Sequence, residues 1–278
     1  MDFLRMVEVF PPLFSRKKEE HIDFEHSLER FIDDARNVRA YADVLLVADV
    51  KNTNLLKFST LEAAALLKER LRAKVAPVLV ARDFNRPQFL SSILTGMSLE
   101  LDYLMFAWGD AHPPAVQATN VRDFRSLAEA IRGAALLRSR ARAGTGFLAP
   151  VNVEGLARPG EVARARERLR AGVDLLLAQP PTTDTEVLDR HAKLLKGARL
   201  MGRVLLNVFP FRGPKDVREC ETYFGWRLPE SLHRAAEKGE RSLIDAEREV
   251  IAALRDHGFP GVYLNTRGIP TIAERLLS

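Results

Sequence analysis

A glutamate interrupts an apolar stretch near the start of the chain, MVEVFPP, Met6 to Pro12. Strand alternation turns Glu8 to the side opposite Val7 and Val9. A carboxylate near a core is costly unless it is paired, hydrogen-bonded or used. Burial that raises its proton affinity would suit it to acid/base work. Further polar residues close other apolar runs: Asp49 and Asn52, Arg82 and Asp83, Trp108 and Asp110, Asn152 and Glu154. Gln179, Asn207, Arg212, Asn265 and Arg267 continue the series. Asp110 would supply a second carboxylate, and the Gln179 amide can read both a donor and an acceptor on a flat heterocycle. Plainer roles compete. Asp110 before Ala111 and His112 could be a turn or cap residue, and Arg82 with Asp83 a local ion pair.

These residues need a frame that brings them together. Eight runs read as strands: Arg5 to Phe10, Asp43 to Asp49, Val75 to Ala81, Leu101 to Ala107, Thr145 to Asn152, Asp174 to Gln179, Arg203 to Pro210 and Gly261 to Thr266. Several are apolar throughout, as parallel strands covered on both faces must be. Helical patterns alternate with them, opened by signals such as Ser59 and Thr60 before Glu62, Asn85 with Pro87, and Pro159. Eight such units predict an α/β protein, a (β/α)8 TIM barrel forming one domain over 1–278. Chemistry in this fold gathers at the C-terminal ends of the strands, where all the residues above fall. The long interval from Arg212 to His257 reads as a helical insertion between the last two strands, suited to a lid or an interface. Gly144 to Ala149 matches a dinucleotide-binding pattern, GxGxxA, but it follows a helix and enters a strand, so the nucleotide reading is rejected.

The totals narrow the function classes. The 278 residues carry 42 basic and 37 acidic side chains, a balance of only +5. The 32 arginines sit mostly on predicted helix faces without aromatic interleaving, which argues for solvated faces over a nucleic-acid surface. Cys220 is the single cysteine, so no disulfide framework or thiolate cage is expected. The six histidines are scattered and read as surface or capping residues, so no metal site is expected. Neither a signal-peptide pattern nor an apolar run of membrane-spanning length occurs, which predicts a cytoplasmic protein without membrane contact.

Taken in order, VEVFPP, FAWGD, LLLAQ, NVFP and VYLNTRG resemble the methylenetetrahydrofolate reductase family. There the first strand reads EFFPP, the fourth ends in RGD, the sixth carries a glutamine and the eighth reads FYTLNR. The resemblance covers nearly the whole chain. It implies that Glu8 is the general acid protonating N10 of methylenetetrahydrofolate, opening the ring to a 5-iminium ion that a hydride from reduced FAD converts to the 5-methyl product. It further implies that Asp110 hydrogen-bonds the pterin and that Gln179 holds its edge. Asn207 would also bind substrate, and Arg267 would meet the folate tail. On the cofactor side it implies Asn52, Thr60, Trp108 and Asn152.

The departures concentrate on the flavin side. The family's glycine-rich TYGAGGS loop is replaced by Ala48 to Asn54, which has no glycine. HLTC becomes VLVA, the arginine of RGD becomes Trp108, and the fifth strand's YPE becomes APVN. FMN, a partner's flavin or direct transfer from NAD(P)H are thus alternatives to FAD. The reading is an oxidoreductase of one-carbon metabolism, a homo-oligomer or a subunit of a complex. The competing reading is a non-redox pterin-binding barrel that carries a one-carbon unit within a complex.

Overall fold

The computed structural model describes residues 3–15, 22–49, 55–109 and 123–278. Eight parallel strands close into a barrel: β1 (Leu4–Val9), β3 (Val44–Val47), β5 (Val75–Val80), β6 (Tyr103–Ala107), β7 (Gly146–Asn152), β8 (Leu175–Gln179), β9 (Val204–Val208) and β10 (Gly261–Leu264), with β10 pairing back onto β1. Helices α1 (Phe24–Arg39), α2 (Thr60–Leu71), α3 (Arg86–Ser98), α4 (Leu127–Ala141), α5 (Pro159–Arg170) and α6 (Thr185–Ala198) pack outside. Between β9 and β10 come α7 (Pro214–Phe224), α8 (Glu230–Lys238) and α9 (Glu240–Asp256), and α10 (Thr271–Leu277) follows β10. This is the (β/α)8 TIM barrel expected from the alternation of runs.

Burial on both faces explains the unbroken apolar strands. Met6, Val44, Ala76, Met105, Leu148, Leu177 and Leu205 fill the barrel interior, while Val7, Leu45, Leu104, Phe147 and Leu206 face the helices. Several helices start where a side chain caps them: Asp23, Ser59, Asn85, Ser126 and Asp184 each accept a first-turn backbone N–H.

Two features differ from the sequence reading. A short antiparallel ribbon joins β2 (Leu13–Ser15) to β4 (Leu55–Lys57). Strands of three residues are too short to show a period. His191 is neither at the surface nor a cap. It is fully buried with Nδ1 3.0 Å from the Thr182 hydroxyl, and burial pulls its pKa down to about 4, so the ring stays neutral.

At the N-terminal face, three aspartates tie strands together. Asp43, Asp102 and Asp174 stand immediately before β3, β6 and β8. Each accepts a backbone N–H from the neighbouring strand, from Arg5, Val75 and Phe147 respectively. A basic side chain completes each cluster: Arg5, Lys68 and Arg138. Asp102→Ala leaves the Val75 N–H and the Lys68 ammonium without this partner. It is expected to lower the unfolding free energy by about 1–3 kcal/mol in urea titrations. A loss within measurement error would contradict a bracing role for these carboxylates.

Candidate functional site

The strand register raises the inward-facing residues in layers, and the top layer turns polar on one side. Glu8 lies opposite Leu46 on β3, and below it Met6 lies opposite Tyr263 on β10. Tyr263 in turn pairs with Asn207 on β9. Above the packed interior opens a cavity of about 1050 Å³ at the C-terminal mouth. Leu46, Val78, Met105 and Leu177 line its inner end together with Glu8 and Tyr263. Asp49, Arg82, Trp108, Gln179, Asn265 and Arg267 bring polar and aromatic groups to the same space.

Glu8 is only 7% exposed, and its surroundings are largely apolar. Burial pushes its carboxyl up to about 7, although the Tyr263 hydroxyl, which donates to Oε2, pulls in the opposite direction. The same burial and the adjacent Glu8 charge raise the Tyr263 phenol well above its ordinary range, while the Asn265 side chain opposes this. Thr266 donates its hydroxyl to the Glu8 backbone carbonyl at 2.8 Å and anchors the strand end. A carboxyl poised near neutrality at the apolar inner end of a cavity can give up and regain a proton at physiological pH.

The local chain explains how the walls are placed. Gly109 has φ +79°, and an added Cβ would lie 2.4 Å from Val80 Cγ1 and 2.9 Å from Arg82 Cβ. Only glycine allows that turn. The Arg82 N–H donates to the Trp108 carbonyl at 3.1 Å, which holds Trp108 against the neighbouring strand end. The helical insertion supplies the opposite wall. It has a core of its own, including Phe209, Phe211, Val217, Leu232 and Leu243, and it brings Tyr223, Phe224 and Trp226 to the cavity. Glu247 of α9 is buried beneath it, its Oε1 accepting the Phe211 N–H at 3.2 Å, with burial raising its carboxyl to about 8.

The residues singled out from sequence divide clearly. Glu8, Trp108, Gln179 and Arg267 line one cavity. The Arg267 guanidinium is ion-paired with Asp216 and lies over the Phe209 ring, 4.9 Å from its centroid. Asn207 is buried beside Tyr263 in register and does not line the cavity. Thr60 is directed elsewhere, donating to the Val78 carbonyl at 2.8 Å. Asn152 is exposed and accepts the Gly155 N–H at 2.8 Å. Asp110 and Asn52 fall outside the described residues. Of the positions implied for a flavin, Trp108 lines the cavity, Thr60 and Asn152 bond local backbone groups, and Asn52 lies outside the described residues. Tyr263 and the aromatic wall were not singled out, although the tyrosine sits in VYLN and the wall in YFGW. Among the described residues no group of three or more His, Cys, Asp or Glu could hold a metal ion, and no helix is long and apolar enough to cross a membrane.

No protein-family model matches this chain, and no curated protein matches its sequence. Solved structures do match. An uncharacterized protein from Clostridium thermocellum that binds two copies of 5-methyl-5,6,7,8-tetrahydrofolic acid aligns with a TM-score of 0.65 at 12% identity, covering 99% of this chain and 94% of the other. A 2,3-dimethylmalate lyase gives 0.55 at 13% identity, covering 98% and 78%. An aldo-keto reductase from Bombyx mori in complex with NADP gives 0.54 at 14% identity, covering 97% and 82%. At such identities the likeness is one of fold.

The Glu8 environment has a consequence for stability. A carboxyl raised in the folded state contributes stability that is full below its unfolded pKa and is lost as pH rises through the folded value, here between about 4.5 and about 7. Glu8→Gln is therefore expected to match the native protein at pH 4 and to exceed it at pH 8 by roughly 2–3 kcal/mol in denaturant titrations. Equal stability of the two proteins at pH 8 would mean that Glu8 carries no burial penalty.

Proposed function

We propose that the chain binds a reduced folate or related pterin in the barrel mouth and reduces its 5,10-methylene form to the 5-methyl form, with Glu8 as the general acid. The observation that carries this reading is Glu8 itself, a buried carboxyl with a pKa of about 7 at the largely apolar inner end of the cavity. The segments that resemble the family's motifs fall at β1, β6, β8, β9 and β10, with Asp110 outside the described residues, and the Clostridium thermocellum protein of similar fold binds a methylated reduced folate.

The step balances with a reduced nicotinamide dinucleotide as the hydride donor, one of the donors the sequence reading leaves open. Protonated Glu8 gives its proton to N10 as the bond between N10 and the methylene carbon breaks. The electrons of that bond stay on N10, leaving a 5-iminium ion. Hydride from C4 of the nicotinamide then adds to the iminium carbon, and the oxidised nicotinamide departs. Glu8 is left ionised, with the Tyr263 hydroxyl donating to its Oε2 until it is reprotonated from solvent. Gln179 and Asn265 provide amides for the polar edge of the pterin, and the apolar residues opposite keep water from the charged intermediate.

Glu8→Gln keeps the shape of the floor and removes the acid. It is expected to bind 5-methyltetrahydrofolate within a few-fold of the native protein, measured by calorimetry, and to lose roughly 100-fold or more of its turnover. Native-like turnover in this variant would remove Glu8 from the chemistry. Tight folate binding by the native protein without hydride transfer from NADH, NADPH or added reduced flavin would favour the carrier reading instead.

A further inference from the structure

A chain of hydrogen bonds that starts at the turn after β10 fixes where the acidic proton of Glu8 sits. The backbone turns at Arg267, whose φ of +53° is a left-handed conformation unfavourable to a residue with a Cβ. Three contacts hold it there. The Arg267 N–H donates to Asn265 Oδ1 at 2.8 Å, the guanidinium pairs with Asp216 of α7, and the same group lies over the Phe209 ring. A backbone N–H can only donate, so the first of these settles which way the Asn265 amide is turned. Asn265 stands two residues beyond Tyr263 and lines the cavity with it, and its side chain hydrogen-bonds the Tyr263 hydroxyl. With Oδ1 committed to the turn, the amide NH2 faces the phenol, so Asn265 donates and the Tyr263 oxygen accepts. The single phenolic hydrogen is left for Glu8, and it is donated to Oε2. Oε1 has no hydrogen-bond partner among the described residues and opens on the cavity.

We propose that Asn265 is a positioning residue acting through Tyr263: it fixes the phenol as a donor to Oε2 and so holds the acidic proton of Glu8 on Oε1, the oxygen open to the cavity. That this proton goes to a folate nitrogen rests on the proposed function; the direction of the hydrogen bonds does not. Without the Asn265 donor, the Tyr263 hydroxyl is able to rotate and accept from a protonated Glu8, which draws the proton onto Oε2 and away from the ligand. One N–H of the Asn265 amide remains for the polar edge of a ligand. Asp49, Arg82, Glu219, Cys220 and Arg267 also line the cavity, yet the shift of Glu8 comes from burial and from Tyr263. Because Arg267 is tied to Asp216, the chain also links the helical insertion to the acid.

The test is a double-mutant cycle read on the Glu8 carboxyl itself, by carbon NMR of protein labelled at the glutamate carboxyl carbon, with the Glu8 signal assigned by Glu8→Gln. Asn265→Ala is expected to raise the proton affinity of Glu8 roughly threefold, since a less polarised phenol stabilises the carboxylate less. Tyr263→Phe should raise it about tenfold or more. In the Tyr263→Phe background, Asn265→Ala should add nothing. An unmoved Glu8 titration in Asn265→Ala, or an equal rise in both backgrounds, overturns the proposal. Should Asn265→Ala not fold, Asn265→Asp keeps an acceptor for the Arg267 N–H and loses the donor; its added charge acts in both backgrounds and cancels in the cycle. Turnover of 5,10-methylenetetrahydrofolate is the second readout. At saturating substrate Asn265→Ala is expected to lose roughly tenfold, although more of its Glu8 is protonated at neutral pH. Undiminished turnover in that variant overturns the positioning role and leaves the reductase reading intact. If the cycle behaves as expected while the native protein reduces no methylenetetrahydrofolate, the positioning of the proton stands and the reductase reading fails.

Discussion

The buried pair of Glu8 and Tyr263 sets the terms for the rest of the cavity. The carboxyl is placed by β1 and the phenol by β10, the two strands whose pairing closes the barrel. Closure therefore builds the site, and a one-residue slip in that register would turn one of the two side chains to the helix face and separate the pair. Burial raises the proton affinity of Glu8, and the Tyr263 hydrogen bond limits how far it rises. The balance leaves an acid near neutrality, costly to the fold at high pH and useful to a reaction that needs one proton per turnover.

Around that pair, the two halves of the molecule contribute different things. The strand ends from β3 to β6 supply an apolar side, Leu46, Val78 and Met105, with Trp108 at its edge. The β9–β10 interval supplies the aromatic wall, held by its own small core and by the buried Glu247 beneath Phe211. The N-terminal face carries the aspartate braces and takes no part in the cavity. That separation of bracing from chemistry follows the usual division of a (β/α)8 barrel.

Much of this was legible in the chain. The barrel strands were readable because burial on both faces makes each an apolar block, and the helices because caps such as Ser59 and Asp184 mark their starts. Glu8 and Gln179 were legible as polar residues ending or interrupting those blocks. Thr60 and Asn152 show the limit. Both are polar near strand or helix ends, yet their side chains satisfy local backbone groups, and composition cannot tell a capping hydroxyl or amide from a binding one. Tyr263 was missed for the opposite reason: in an apolar strand it reads as core, and only the closure of β10 onto β1 brings its hydroxyl to Glu8. The pairing of Phe224 with Trp226 depends on a single turn at Gly225, which no periodicity reports.

The central claim is an acid-assisted hydride transfer to a folate methylene carbon within this cavity. The most direct measurement uses nicotinamide dinucleotide deuterated at C4, purified protein without added flavin, and 5,10-methylenetetrahydrofolate, with mass analysis of the product. The account predicts 5-methyltetrahydrofolate one mass unit heavier, with the deuterium in the methyl group. No methylated product from either NADH or NADPH, or product whose methyl group lacks the label, would contradict it.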